Sequence, residues 1–579
     1  METNRLVWCM GGEAGDGVLS AGEVFARACS RGGLHVFTET DLPSLVRGGH
    51  NAMQVRVDAE EIYAQARDID LLLALNKDTI KKHINQLKPH GGIIYDEETT
   101  EVEHRDLGRD DVQLFPVPLA TIVKQLEGKG VLRNVVAIGA SIALVDYDLS
   151  LLDDLLTMSF HKKGEAVVKQ NIDAARQGYE YAKTRYSERF PWKLRRIADE
   201  PRMLITGDAA TCLGALRAGC KFVAGYPMTP ATPILEFMTS QEREYSLVVK
   251  QTEDEIAAIN MVIGASLAGA RAMACTSGGG FSLMVEGLGL AAMTEVPLVI
   301  VEGQRPGPST GMPTRTEQSD LRFVLSASQG EFPRIVMAPG DAEECFYLTI
   351  EAFNLAEKFQ CPAVVLADKY VLTSSRTVER FDPARVKIDR GNFLTDAQLA
   401  KMGEYIRYSD TPTGVSPRSI PGQPGGIFTT TSDEHNENGH IFEGKENRTW
   451  IVDKRFRKLK AAARVIPEPE LRGQPDADMT FVGWGSTKGP IREAMKMLAR
   501  DGIRTNFLQV IYLSPFPSQR VSDILSNARK PILVENNKTA QLGSVIREHT
   551  GIMISHHILK YDGRPFTPEE IYYKAKEVV

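Results

Sequence analysis

Residues 251–270 read QTEDEIAAINMVIGASLAGA, so Glu253, Asp254 and Glu255 stand in a row at the mouth of a helix made of small residues. Local sequence offers two uses for them. Thr252 and Glu255, three residues apart, match a capping box, in which the hydroxyl accepts one free helix N–H and the glutamate reaches back to another. Glu253 and Asp254 then suit the positive helix end. The cap leaves the helix itself unexplained. Ala257, Ala258, Gly264, Ala265, Ser266, Ala268 and Gly269 give up burial, and each mid-helix glycine costs ~1 kcal/mol relative to alanine. Residues this small admit a second backbone or a ligand, and one acid is then buried against it.

A strand (ARAMACT) follows, then a turn (SGGGF) whose three glycines permit positive φ and close contact. A second strand, VPLVIVEG, opens into QRPGPSTGMPTRTEQSD. Ligands on parallel sheets collect beyond the carboxyl ends of strands, where this arginine-bearing loop lies. Upstream, the two prolines of YPMTP stiffen a turn and fix the Thr229 hydroxyl, whose local use is an ST-turn cap for the helix starting near Pro233. DEHNENGH offers Asp433, Glu434, His435 and His440, but without regular ligand spacing, so it reads as a solvated loop. GWGSTKG fails the Walker spacing, which leaves Lys488 as a surface residue. No metal ligand is assigned to this chain.

The elements that must position these residues are α/β throughout. RLVWCM, GGEAGDGV and LSAGEVFARACSRGG make the strand, glycine turn and helix of a Rossmann-like unit, and IDLLLALN, GGIIYD and VQLFPV continue the alternation. This first block runs over 1–187, with a linker at 188–202. A second α/β block spans 203–371. Residues 372–470, with TPTGVSPRSIPGQPGG and TTTSDEHNENGH, read as a connecting arm. A last α/β block, 471–579, restarts at DMTFVGWGS. The fold class is therefore multidomain α/β, with three Rossmann-like parallel-sheet domains.

A chain of 579 residues is too long for one core. Its 42% hydrophobic and 25% charged content is that of a soluble globular protein, and a net charge of −7 argues against a nucleic-acid partner. Seven scattered cysteines with no CxxC pair argue for a reducing compartment and against a zinc ribbon or iron–sulfur cluster held by this chain. No run approaches a membrane span and the N-terminus is not an export signal, so a cytoplasmic location is expected.

AGYPMTPATPILEF, KQTEDEIAAINMVIGASLAGARAMACTSGGGFSLM and EGQRPGPSTGMPTRTEQSDL together resemble the α subunit of 2-oxoacid:ferredoxin oxidoreductases, with 2-oxoglutarate:ferredoxin oxidoreductases the nearest group. GGEAGDGV and LVRGGHN resemble the family's γ module, fused in front. FVGWGST, SPFP, VENNKTAQLG and KYDGRPF resemble its transketolase-C-like domain, so 203–371 would be the thiamine diphosphate pyrimidine-binding domain.

The resemblance implies roles. Glu255 aligns with the glutamate that bonds the aminopyrimidine N1′ of thiamine diphosphate and favours its imino tautomer. Such a carboxyl works best away from water, where its hydrogen bond is strong and its pKa rises. Thr229 would face the 2-oxoacid, and Arg305 would grip its C1 carboxylate through a planar fork that lysine lacks. Gly15, Gly17 and Arg47 would border the coenzyme A path. Gly15-Asp16-Gly17 also mimics the GDG of a diphosphate–Mg²⁺ site. However, its following asparagine, Asn51, lies too far on, and a carboxylate suits a phosphate loop poorly without a metal. A β chain would then supply the Mg²⁺ site and the [4Fe–4S] cluster in an (αβ)₂ assembly that reduces ferredoxin. The implied reaction is coenzyme A-dependent oxidative decarboxylation of 2-oxoglutarate to succinyl-CoA and CO₂, or the reverse carboxylation. The rivals are the same chemistry on pyruvate, branched-chain 2-oxoacids or indolepyruvate, a non-catalytic scaffold or nucleotide-binding subunit whose Glu255 only caps, and a self-sufficient Rossmann dehydrogenase.

Overall fold

The computed structural model describes residues 2–44, 48–186 and 188–578. They form two compact units. The first comprises residues up to Ile205 with the segments Ser374–Arg380 and Thr567–Glu569. Its strands are β1 (Arg5–Glu13), β2 (His35–Asp41), β3 (His50–Asp58), β4 (Ile69–Ala74), β5 (Leu87–Asp96) and β6 (Gln113–Val117). They order as β6-β5-β4-β1-β3-β2, and Ser375–Val378 and Met203–Thr206 extend the edge. β1, β4, β5 and β6 are parallel, whereas β3 runs antiparallel to β1 and β2. Helix α1 (Val18–Arg31) buries Val18, Ala21, Phe25 and Cys29 on the sheet, with Phe25 stacked on Trp8 at 4.6 Å.

The second unit holds two sheets around one core. The larger comprises β7 (Cys220–Gly225), β8 (Val248–Gln251), β9 (Arg271–Ser277), β10 (Leu298–Gln304), β11 (Ile335–Met337), β12 (Pro362–Asp368) and β16 (Tyr512–Ser514). Its order is β8-β7-β9-β10-β12-β11-β16, parallel but for β16. Helices α2 (Gly207–Arg217) and α3 (Thr232–Ser240) flank β7 in the chain, and α4 (Glu255–Leu267) and α5 (Gly278–Met293) lead into and out of β9. β9, β10 and β12 are buried at every position, as expected of parallel strands covered on both faces. The smaller sheet is β13 (Leu471–Gly473), β14 (Met479–Gly483), β15 (Thr505–Gln509), β17 (Pro531–Glu535) and β18 (His556–Leu559), ordered β13-β15-β14-β17-β18.

Polar bridges tie the two sheets. The Gln318 side chain donates to the Trp484 carbonyl at 2.9 Å and accepts from Asn536 N at 2.9 Å. Buried Glu535 accepts from the Trp484 indole, the Asn537 amide and the Leu542 and Gly543 N–H groups. The VENNKTAQLG motif is thus a clamp on the loop that carries Gln318.

Residues 381–444 are mostly irregular and end in a helix, Lys445–Ala462. Two sequence expectations fail in this unit. The DEHNENGH loop is solvated only in part: Asp433 and His440 are exposed, but Glu434 pairs with Arg448 and Arg455, and His435 is fully buried with its ring 4.1 Å from that of Tyr408. Lys488 is not at the surface either, because Asp341 and Glu344 each take a 2.5 Å ion pair from its buried ammonium. Both errors have one cause, since the neutralising partners are far away in sequence. Among the described residues no helix is long and apolar enough to cross a membrane.

Candidate active site

Glu255 is the first residue of α4, and the residue before it is the cap. Asp254 is extended, and its carboxylate accepts from Ala257 N at 2.8 Å. The Thr252 hydroxyl donates instead to the Asp254 carbonyl at 2.7 Å. The capping box expected between Thr252 and Glu255 does not form, because aspartate at the cap position reaches the third helical N–H by itself. Glu255 is thereby released. Its side chain is 2% exposed, and Oε1 has no hydrogen-bond partner. Burial pushes its pKa up, against the Thr276 hydroxyl and its own N–H, which favour the ionised form.

The glycines of SGGGF open α5 in helical conformation and do not use the positive φ open to them. Their use is the missing side chain. A Cβ on Gly280 would lie 2.2 Å from Glu255 Oε1 and 2.1 Å from Thr276 Oγ1, and one on Gly278 would lie 2.3 Å from Asp320 Oδ2. Gly280 therefore makes the space into which Glu255 folds. On the inner side of the pair, Gly287 of α5 accommodates Ile259 of α4. On the outer side Ile256, Met261 and Leu283 are about half exposed, and nothing lies within 4 Å of a Cβ at Gly264.

Arg305 follows β10 and is half-buried; its Nη1 donates to the Thr229 carbonyl at 2.8 Å. Thr229 itself is exposed. The helix beyond it runs Thr232–Ser240, with Ala231 in the cap position and no side-chain cap, so the ST-turn use of Thr229 is not realised. Burial weakens the Arg305 charge and Asp320 supports it.

Sequence reasoning missed the acids beneath this arginine. Glu302 on β10 and Asp368 at the end of β12 are buried, with Asp320, the residue preceding helix α6 (Leu321–Ser326), beside them. Desolvation raises all three, most strongly Glu302; Asp320 reaches about 6, and Glu317 in the same loop about 7. The available signal was a glutamate inside the apolar run VPLVIVEG. The five orphaned polar atoms here, Glu255 Oε1, Ser277 Oγ, Glu302 Oε1 and Oε2 and Gln304 Nε2, belong to the ends of β9 and β10 and the start of α4. Buried atoms without partners are uncommon in native proteins and mark places where a ligand completes the set. The buried, unpartnered Glu255 oxygen fits a hydrogen-bonding heteroaromatic ring such as an aminopyrimidine.

In the first unit, Gly15 (φ 102°) and Gly17 (φ 77°) form a left-handed turn, and Asp16 accepts from Glu13 N at 2.8 Å. Gly15 lines a cavity of about 260 Å³ at the carboxyl ends of β1, β4 and β5, with Glu13, Asp16, Asn76, Asp96, Arg133 and Asn134. Three carboxylates to one arginine make it a poor diphosphate cradle and a better fit for a hydroxyl- or amine-bearing group. Arg47 lies outside the described residues. Among the described residues, no group of three or more His, Cys, Asp or Glu side chains is placed to hold a metal ion.

The chain matches family models along most of its length. The thiamine diphosphate-binding domain of pyruvate flavodoxin/ferredoxin oxidoreductases matches residues 213–453, pyruvate ferredoxin/flavodoxin oxidoreductase matches 7–181, and core domain II of pyruvate:ferredoxin oxidoreductase matches 477–571. A 2-oxoacid:ferredoxin oxidoreductase α subunit from a Sulfolobus species is 34% identical, the alignment covering 98% of this chain and 96% of that one. A 2-oxoglutarate synthase subunit from Methanothermobacter marburgensis is 35% identical over 64% of this chain and 97% of its own. The solved structure of 2-oxoglutarate:ferredoxin oxidoreductase from Magnetococcus marinus, with 2-oxoglutarate, coenzyme A and succinyl-CoA bound, is 33% identical, covers 100% of both chains and superposes with a TM-score of 0.93.

Proposed function

We propose that this chain, which belongs to the α subunits of the 2-oxoacid:ferredoxin oxidoreductase family, works on 2-oxoglutarate, converting it with coenzyme A to succinyl-CoA and CO₂ while reducing ferredoxin. The observation that carries the reading is the buried, unpartnered Oε1 of Glu255, packed where Gly280 has no side chain. When bound, thiamine diphosphate supplies a carbon that adds to the 2-oxo group and accepts the electron pair freed as CO₂ leaves. Glu255 would bond the pyrimidine ring nitrogen, and its raised affinity for a proton lets that proton be shared across the bond. Arg305 would hold the C1 carboxylate, with Thr229 at the mouth of the same site. Gly15 and Gly17 would border the coenzyme A path in the first unit beside its amide- and hydroxyl-bearing arm, since the carboxylates there disfavour its phosphates.

A β chain completes this reading. It would bring the Mg²⁺–diphosphate site and the [4Fe–4S] cluster, pairing with this chain as (αβ)₂ in the cytoplasm. The half-exposed apolar residues on the outer side of α4 and α5, beside Glu255, support a partner seated there. The 2-oxoglutarate preference draws on the named activities of the Methanothermobacter and Magnetococcus proteins, whereas the Sulfolobus relative is named for 2-oxoacids at large. The deciding experiment assembles the enzyme with its β chain and measures coenzyme A-dependent reduction of ferredoxin by 2-oxoglutarate, pyruvate, branched-chain 2-oxoacids and indolepyruvate. The reading expects 2-oxoglutarate to have the highest kcat/KM. A higher value for another acid would reassign the substrate, and unchanged turnover in Glu255→Ala would favour a non-catalytic subunit.

A further inference from the structure

Glu302 has no part in the reading above, yet it is the most isolated acid of the site. It is fully buried, and neither carboxylate oxygen meets an N–H or O–H donor. Its Cα pairs with that of Thr276 across two parallel strands, so both side chains point to the same sheet face, toward Glu255. The group that acts on Glu302 beside its burial is another carboxyl, that of Asp320. Two adjacent carboxylates away from water cannot both ionise, so one proton is shared between them.

Asp320 is firmly placed. Its carboxylate packs where Gly278 lacks a side chain, and its N–H donates to Gln304 Oε1 at 3.1 Å. It also acts on Arg305, whose Nη1 is held by the Thr229 carbonyl. The remaining titratable groups acting on the pair or its loop are Asp368 and Glu317, both acids. Arg305 is therefore the cation that the cluster addresses. A doubly ionised pair would compete with a substrate carboxylate, and a neutral one would leave Arg305 without an opposing charge.

We propose that Glu302 is a positioning residue, which carries the shared proton and donates it to Asp320 so that a single negative charge stays aimed at Arg305. This rests on the reading of Arg305 as the grip on a 2-oxoacid carboxylate. The pair loses its charge as Asp320 protonates at about pH 6, and KM for the 2-oxoacid then rises.

The test compares wild type, Glu302→Ala, Glu302→Gln and Asp320→Asn in the assembled oxidoreductase. Glu302→Ala should raise KM for the 2-oxoacid about tenfold at pH 7.5, with kcat changed far less. Glu302→Gln keeps an N–H donor toward Asp320 and should recover most of that loss. Asp320→Asn should raise KM and abolish its rise below pH 6. Independently of turnover, the infrared difference between wild type and Glu302→Gln at pH 7.5 should contain a protonated-carboxyl stretch. Four equal KM values in an active enzyme would overturn this inference and leave the proposed function standing, and so would a missing carboxyl stretch. An assembly that turns over no 2-oxoacid would sink the proposed function and this substrate grip with it.

Discussion

Glu295 and Glu255 lie in the same unit, and both are withdrawn from water. Glu295 receives the Lys454 ammonium at 2.8 and 3.0 Å and the Lys458 ammonium at 2.5 Å, and its carboxyl is held well below the usual range by those lysines against a large desolvation penalty. Glu255 has no cation, keeps one oxygen unpaired, and is pushed the opposite way by burial. Burial therefore does not distinguish structural acid from functional acid. Satisfaction does. The first cluster is closed and fastens the helix at 445–462 to its unit, whereas the second keeps a buried oxygen with no hydrogen-bond partner among the described residues.

The sharpest way to break this contrast is stability. Glu295→Gln leaves Lys454 and Lys458 buried without a counter-charge and should cost about 3–5 kcal/mol, read as a lower midpoint of thermal unfolding. Glu255→Gln should leave that midpoint unchanged or higher. Next comes space: Gly280→Ala drives a methyl group into the Glu255 carboxyl and should cut turnover at least ~100-fold, while Gly264→Ala, open to solvent, should gain up to ~1 kcal/mol of helix stability.

The pH dependence has opposite signs at the two clusters. Glu302, Glu317 and Asp320 hold protons more tightly folded than unfolded, so their contribution falls as pH rises from about 4 through 6 and 7. Glu295 holds its proton less tightly when folded, so its contribution is lost as pH falls below the ordinary glutamate range. Chemical denaturation between pH 5 and 8 should show stability declining with pH, with a shallower slope in Glu302→Gln. The smallest effect separates cap from catalyst: Asp254→Ala should cost ~1 kcal/mol of stability with kcat intact.

Much of this was legible in the sequence. The α/β alternation, the acid at the mouth of the small-residue helix and the arginine after VPLVIVEG were all visible as local pattern. What escaped depends on distance in the chain. Glu302 and Asp320 are 18 residues apart and meet only because β10 ends beside the start of α6. Lys454 and Glu295 are 159 residues apart, so a helix with charged buried positions looked like part of a connecting arm. The glycines of SGGGF were recognised as permitting close contact, but the contact comes from an absent Cβ in a helix, not from a turn. The cap was assigned to the wrong residue because Asp254, two positions after Thr252, caps by itself and starts the helix later than a Thr252 capping box would.

The central claim is that the unpaired Glu255 oxygen acts on a bound pyrimidine ring. Proton–deuterium exchange at C2 of thiamine diphosphate, measured in the assembled oxidoreductase with wild type and Glu255→Gln at matched cofactor occupancy, tests it most directly. The account predicts exchange slowed at least ~100-fold by the substitution. Equal exchange rates in the two proteins would contradict it.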